Sequence, residues 1–253
     1  MDLGLGGKRA IVTGATRGIG RQVAEMLADE GCDVAFCARG GEGVEATAAA
    51  IRKRGVKAHG AVCNLRDGTA YRAWLTQACE QLGGLDILVA NASAGRSNDG
   101  EPDWKRGFEV DLMGTVRAVD VAIPHLKQSG TGSIIFVDSI GATEVYVGAT
   151  PQNAFKAALL TYSKQLGQTL FKSGVRVNCV SPGPTVHAGS PWEMTELASP
   201  RTHKAMLGQQ PSRRFGTPDE IARCIVFLAS PAAGWVVGTN LVADGGASKR
   251  VQF

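Results

Sequence analysis

Apolar residues recur along the chain in two rhythms that alternate from start to finish. Short apolar runs bounded by glycine or charge read as buried strands. Longer stretches with apolar positions three and four apart read as amphipathic helices. Ala10-Ile11-Val12, running into Thr13, is the first strand. Gly18 to Glu30 is a helix with Ile19, Val23, Met26 and Leu27 on one face, ended by Gly31. Asp33–Cys37 is a strand, Glu42–Arg54 a helix, Val56–Val62 a strand, Thr69–Leu82 a helix and Asp86–Ala90 a strand. Asp103–Lys127 reads as a single long helix, Ser133–Val137 as a strand and Pro151–Lys172 as a second long helix. Val175–Val180 is a strand, 186–210 has no clear period, Pro218–Ala229 is a helix and Asn240–Ala243 a last short strand. The strand runs lack strict polar alternation, which suits a parallel sheet covered on both faces. Strand–helix alternation predicts a doubly wound α/β fold with right-handed crossovers. No repeat, linker or composition break interrupts it, so residues 1–253 read as one domain.

Composition narrows the partners. A net charge of +4 with no basic run gives no case for nucleic acid. No apolar stretch is long enough to span a bilayer, and MDLGLGGKRAIVTG lacks the pattern of a signal peptide, so a cytoplasmic protein is expected. The six cysteines form no C-x-x-C pair and read as buried, reduced thiols, with no metal site.

Chemistry enters behind the first strand. Thr13-Gly14-Ala15-Thr16-Arg17-Gly18-Ile19-Gly20 is a glycine turn opening a helix. Such a turn lets backbone N–H groups approach a pyrophosphate, whose charge the helix dipole favours. The second strand ends at Ala38-Arg39, where an acidic residue would accept the hydroxyls of an adenosine ribose. Arg39 and Arg17, two guanidiniums with no carboxylate, favour a 2′-phosphate and hence NADP(H) over NAD.

These residues resemble the cofactor motif of the short-chain dehydrogenase/reductase family. Further matches are Asn91-Ala92 after the fourth strand, Ser139 after the fifth, Lys156 in the next helix and Asn178-Cys-Val-Ser-Pro-Gly183. Arg214–Ala222 and Val242–Gly246 fit the family's C-terminal pattern. The resemblance implies a Rossmann-like, seven-stranded parallel sheet in a single domain that binds a nicotinamide dinucleotide. It puts Gly14, Thr16, Arg17, Gly18, Ile19, Gly20 and Arg39 at the cofactor. It also puts Asn64 and Leu65 near the adenine, and Asn91 along the dinucleotide. Pro182, Gly183 and Thr185 fall near the carboxamide, and Lys156 at the nicotinamide ribose. It implies a homo-tetramer or homodimer built partly on the two long helices, and a mobile substrate lid at about 186–210.

The catalytic positions depart from that pattern. The family uses Tyr-x-x-x-Lys, and this chain has Gln152 four residues before Lys156. Thr150 and Pro151 mark the helix start, and no other tyrosine precedes a lysine by four. Where the family has Val-Asn-Leu, this chain has Val110-Asp111-Leu112; the carboxylate either pairs with Lys156, directly or through water, or reaches solvent at the helix edge. His187 stands where the family tends to have threonine.

Asp111, Ser139, Gln152 and Lys156 are thus the expected catalytic set. A glutamine amide can donate a hydrogen bond to an oxyanion but has no titratable proton. Three functions follow. One is NADP(H)-dependent transfer of a hydride to or from a small carbonyl or alcohol, with the proton from Tyr146, His187 or water. A second is reduction of a conjugated enone, with the proton from water. The third is a catalytically impaired cofactor sensor or partner subunit.

Overall fold

Successive side chains of a strand point to opposite faces, so a strand buried on both faces must be apolar throughout. The first, second, fourth and fifth strands meet that demand in this computed structural model, which describes residues 2–95, 98, 100–145 and 148–251. The strands are β1 (Arg9–Thr13), β2 (Asp33–Ala38), β3 (Ala58–Val62), β4 (Ile87–Ala90), β5 (Gly132–Val137), β6 (Val175–Pro182) and β7 (Asn240–Ala243). All pair in parallel, in the order β3-β2-β1-β4-β5-β6-β7. Val12 at the centre lies opposite Phe36 on one side and Val89 on the other.

The helices are α1 (Gly18–Asp29), α2 (Gly41–Arg52), α3 (Gly68–Leu82), α4 (Glu101–Gly107) and α5 (Met113–Ser129). After them come α6 (Pro151–Leu170), α7 (Pro191–Ala198), α8 (Pro200–Gln209) and α9 (Pro218–Ala229). Val12, Phe36 and Val89 pack against Val23 and Leu27 of α1, Ile51 of α2 and Ile225 of α9. Ile11, Ala35 and Leu88, one residue out of phase, pack against Tyr71 and Leu75 of α3, Val119 of α5 and Leu159 of α6. Among the described residues no helix is long and apolar enough to cross a membrane.

Two expected elements differ. The long helix expected over Asp103–Lys127 is α4, a wide π-helical turn over Phe108–Leu112, and then α5. The turn's extra residue shifts the helical phase and carries Asp111 to full burial. The segment 186–210 contains α7 and α8. Both start on a Ser-Pro pair, and Ser190 accepts a hydrogen bond from the Glu193 N–H at 3.2 Å. Neither helix buries a residue fully, so their apolar side chains show no helical period.

Charged groups secure the end of the sheet where β1, β4 and β6 begin. Arg9 clamps Asp86 at 2.7 Å, and this pairing holds the Asp86 carboxyl below its usual range against the cost of burial. Arg176 of β6 is buried and donates to the carbonyls of Leu228, Ala229 and Ser230, which end α9.

Candidate active site

At the opposite end of the sheet the strand order turns back between β1 and β4, which leaves a crevice outside the strand ends. The cleft there encloses about 810 Å³. Thr13 closes β1, and its Oγ1 accepts from the N–H groups of Asn91 and Ala92 at 3.0 Å each. The Asn91 amide returns two bonds, to the carbonyls of Thr13 and Gly14, at 2.9 and 3.0 Å. Asn91 therefore lines the cleft and also fixes the glycine turn. Gly14 and Gly18 take positive φ of 72° and 55°, open to glycine at low cost. A methyl group on Gly20 would overlap the Asn91 amide and the Gly14 carbonyl. No side chain caps α1, so its first N–H groups face the cleft as an anion site. The turn, the uncapped helix and the cleft volume fit a dinucleotide. Thr16, Arg17 and Ile19 line the same stretch.

Arg17 and Arg39 stand exposed at this end, and neither forms an ion pair among the described residues. Asn64 and Leu65, at the end of β3, complete that corner. Pro182, Gly183 and Thr185 line the cleft beyond the end of β6. A Cβ on Gly183 would lie 2.7 Å from Asp244, so only glycine fits there. Of the other described residues lining the cleft, Arg66, Arg106 and Lys156 are cations and Asp138 is the sole carboxylate.

The candidate catalytic residues gather where β5 ends and α6 begins. Thr150 caps α6 through the Asn153 N–H, and Pro151 occupies its first position, as the sequence predicts. Gln152 and Lys156 then share a face one turn apart. Lys156 is buried, and its ammonium donates to the Val137 carbonyl at 2.5 Å. Gln152 is half-buried and donates through Nε2 to the Ser93 hydroxyl at 3.0 Å. Ser139 Oγ accepts the Gly141 N–H at 3.1 Å, which leaves its own O–H hydrogen free to be donated.

Asp111 is fully buried rather than solvated at a helix edge, and among the described residues it forms no direct bond to Lys156, whose ammonium bonds Val137. One Asp111 oxygen accepts the Ala94 N–H at 3.1 Å, and Oδ1 has no hydrogen-bond partner among the described residues. Asp111 does not line the cleft. His187, a candidate proton donor, lines the cleft. Its ring covers the glycine turn, with Nε2 2.6 Å from where a Cβ on Gly18 would stand. Its Nδ1 lies 2.9 Å from the Ala188 carbonyl. Tyr146, the other expected donor, lies outside the described residues.

Asp138 is the residue that sequence reasoning missed. It is 5% exposed, and Oδ1 accepts the Ser139 N–H at 2.9 Å while Oδ2 is buried with no hydrogen-bond partner among the described residues. Burial pushes its carboxyl up to about 7; Lys156 and the Ser139 amide oppose the shift, and Asp111 adds to it. The available signal was a charge ending an otherwise apolar strand, Ile134-Ile-Phe-Val-Asp138.

Comparison with known proteins agrees over almost the whole chain. The family described as "Enoyl-(Acyl carrier protein) reductase" matches residues 14–248. Isoepoxydon dehydrogenase patN of Penicillium expansum is 34% identical, covering 100% of this chain and 99% of its own. The 3-oxoacyl-[acyl-carrier-protein] reductase FabG of Staphylococcus aureus is 33% identical over 94% of this chain and 97% of its own. L-sorbose reductase from Gluconobacter frateurii, solved with NADPH and L-sorbose, superposes with a TM-score of 0.90 at 30% identity, covering 99% and 100% of the two chains. With the sheet order and the glycine turn, these matches establish that the chain belongs to the short-chain dehydrogenase/reductase family of oxidoreductases.

Proposed function

We propose that the chain is an NADP(H)-dependent oxidoreductase that moves a hydride to or from a small carbonyl, alcohol or conjugated enone. The observation that carries this reading is one cleft with an anion-binding turn and two unpaired arginines at one end, and Ser139, Gln152 and Lys156 at the other. Backbone N–H groups of the turn and α1 would hold the pyrophosphate. Arg17 and Arg39 would hold a 2′-phosphate, and the L-sorbose reductase neighbour was solved with NADPH. Asn64 and Leu65 would flank the adenine, and Lys156 the nicotinamide ribose. Pro182, Gly183 and Thr185 would border the carboxamide. The bound dinucleotide supplies or accepts the hydride.

The chain's own task is to orient the substrate and manage charge on its oxygen. The free hydrogens of the Ser139 hydroxyl and the Gln152 amide can both be aimed at that oxygen. The segment 186–210 would act as a lid, with Trp192 resting on Phe215 at 5.2 Å and lining the cleft. Trp104 and Phe108 are half-exposed beside Phe155 and suit a homo-oligomeric interface, which light scattering would test.

The test is titration with NADPH and NADH, then turnover on L-sorbose, cyclohexanone, an acetoacetyl thioester and cyclohexenone. NADPH binding with turnover supports the reading. Tight NADPH binding with turnover appearing only in Gln152→Tyr supports a catalytically impaired binding or partner subunit. That second reading is favoured by the Gln152 amide, which is already tied to Ser93. No NADPH binding overturns both.

A further inference from the structure

Two side chains of the cleft are bound to each other, and the pairing fixes what each has left to offer. The Ser93 hydroxyl oxygen accepts a Gln152 Nε2 hydrogen at 3.0 Å and the Gly95 N–H at 3.1 Å. A hydroxyl oxygen has two lone pairs, so both are taken and only its own hydrogen remains to be given. Gln152 has spent one amide hydrogen, and its carbonyl oxygen Oε1 has no hydrogen-bond partner among the described residues. Both residues are half-buried and line the cleft together with Ser139. The pair thus presents a free donor on Ser93 beside a free acceptor on Gln152.

The backbone beneath the pair is held from both sides. Ser93 lies in the segment after β4, where the N–H groups of Asn91 and Ala92 are bound to Thr13 Oγ1 and that of Ala94 to the fully buried Asp111. Gln152 projects from the first turn of α6, whose start is set by the Thr150 cap and Pro151. Groups fixed in advance recognise a ligand without the cost of ordering them. A ketone oxygen only accepts, so it cannot satisfy Gln152 Oε1. A hydroxyl both accepts and donates: its oxygen takes the Ser93 hydrogen, and its own hydrogen goes to Oε1.

Resting on the reductase reading above, we infer that Ser93 and Gln152 form a hydroxyl-reading pair, and that the substrate is a ketone with a hydroxyl on the adjacent carbon. The amide joins the two groups. Its second hydrogen can be aimed at the carbonyl oxygen, as can the Ser139 hydroxyl, while Oε1, on the same planar group, takes the hydroxyl hydrogen. Reduction of such a ketol places a hydride on the carbonyl carbon. The C=O π pair becomes the new O–H bond with one proton, ultimately from solvent. The products are a vicinal diol and the oxidised dinucleotide; in the opposite direction a vicinal diol gives up the same hydride and proton. The adjacent hydroxyl takes no part in the bond changes. It positions the ketone, and a ketone that lacks it covers Oε1 and leaves it unpaired.

The test compares 2-hydroxycyclohexanone with 2-fluorocyclohexanone, whose fluorine withdraws electrons and is small, as the hydroxyl is, but has no hydrogen to donate. Wild type should prefer the hydroxyketone by about 10–100-fold in kcat/KM. A fully enclosed hydroxyl-reading site reaches about 10⁴-fold or more, and this pair is half-buried. In Gln152→Met and in Ser93→Ala the ratio should fall to within about threefold of unity. Damage to packing lowers both substrates together and leaves the ratio unchanged, so the ratio reports the pair. Binding gives a second readout that needs no turnover. With NADP+ bound, and again without dinucleotide, tryptophan fluorescence is titrated with each ketone; Trp192 lines the cleft. Wild type should bind the hydroxyketone about tenfold tighter, and both variants should bind the two ketones alike. Equal binding of the two ketones by wild type, or a preference that survives in Gln152→Met, overturns the inference and leaves the reductase reading standing where turnover is seen. A binding preference with no turnover overturns the reductase reading instead and keeps the hydroxyl-reading pair.

Discussion

Replacing Arg39 and Arg17 with alanine, singly and together, should change which dinucleotide the cleft prefers. A 2′-phosphate carries about −1.5 to −2 charges near neutral pH. A charge-assisted hydrogen bond to it contributes about 1.5–3 kcal/mol. Both arginines are exposed, so water screens them and the lower part of that range applies. Neither has an acidic partner among the described residues, so no existing ion pair must break for it to bind. Each single variant should lose about 1–2 kcal/mol of NADPH affinity, roughly 5–30-fold. The two share one phosphate and will not add fully; the double variant should lose about 2–3 kcal/mol, roughly 30–150-fold. NADH lacks the phosphate and should bind all variants within about twofold. The assay is fluorescence titration of both reduced dinucleotides. At about 0.3 M salt, against about 0.05 M, the wild-type preference should shrink as the Debye length shortens. A double variant that binds NADPH as tightly as wild type would refute the assignment. So would equal losses for NADPH and NADH, because that pattern reports damage to the turn rather than loss of a phosphate contact.

Other outcomes follow from the same coordinates. Ser139→Ala removes one of the two donors proposed for the substrate oxygen and should lower kcat about 100–1,000-fold with little change in NADPH affinity, measured by steady-state kinetics beside the titration. Arg176→Leu leaves the three carbonyls at the end of α9 without their donor. It should cost about 2–5 kcal/mol and lower Tm by about 5–15 °C in a thermal scan. Burial pushes Cys32 and Cys179 up to about 12 and Cys79 up to about 11, while Cys224 is half-buried. An aromatic disulfide at about pH 8 should therefore modify Cys224 first, and all six thiols only after denaturation.

The strands were legible because burial on both faces forces apolar runs, as Ile134–Val137 shows, and glycine or charge punctuates them. Caps were equally plain: Thr150-Pro151 starts α6 where the sequence predicts. Helices α7 and α8 escaped because Met194 and Leu197 face outward, so packing imposes no period, and only their Ser-Pro starts announce them. The helix through Asp111 was misread because a π-helical turn breaks the 3.6-residue phase on which face assignment depends. The glycine turn was legible residue by residue, since backbone approach demands glycine at Gly14, Gly18 and Gly20. Asp138 was not: a lone charge at a strand end looks like a surface residue until the fold sets Lys156 and Asp111 around it.

The clamps of Arg9 on Asp86 and of Arg176 on the end of α9 sit at the foot of the sheet, and the cleft sits at its head. Anchorage and chemistry are thereby divided between two ends of the same strands. A substitution at the head, at Gln152 for example, can change the cleft without loosening the frame. Selection can then test new substrates on an unaltered chassis without passing through an unfolded ancestor.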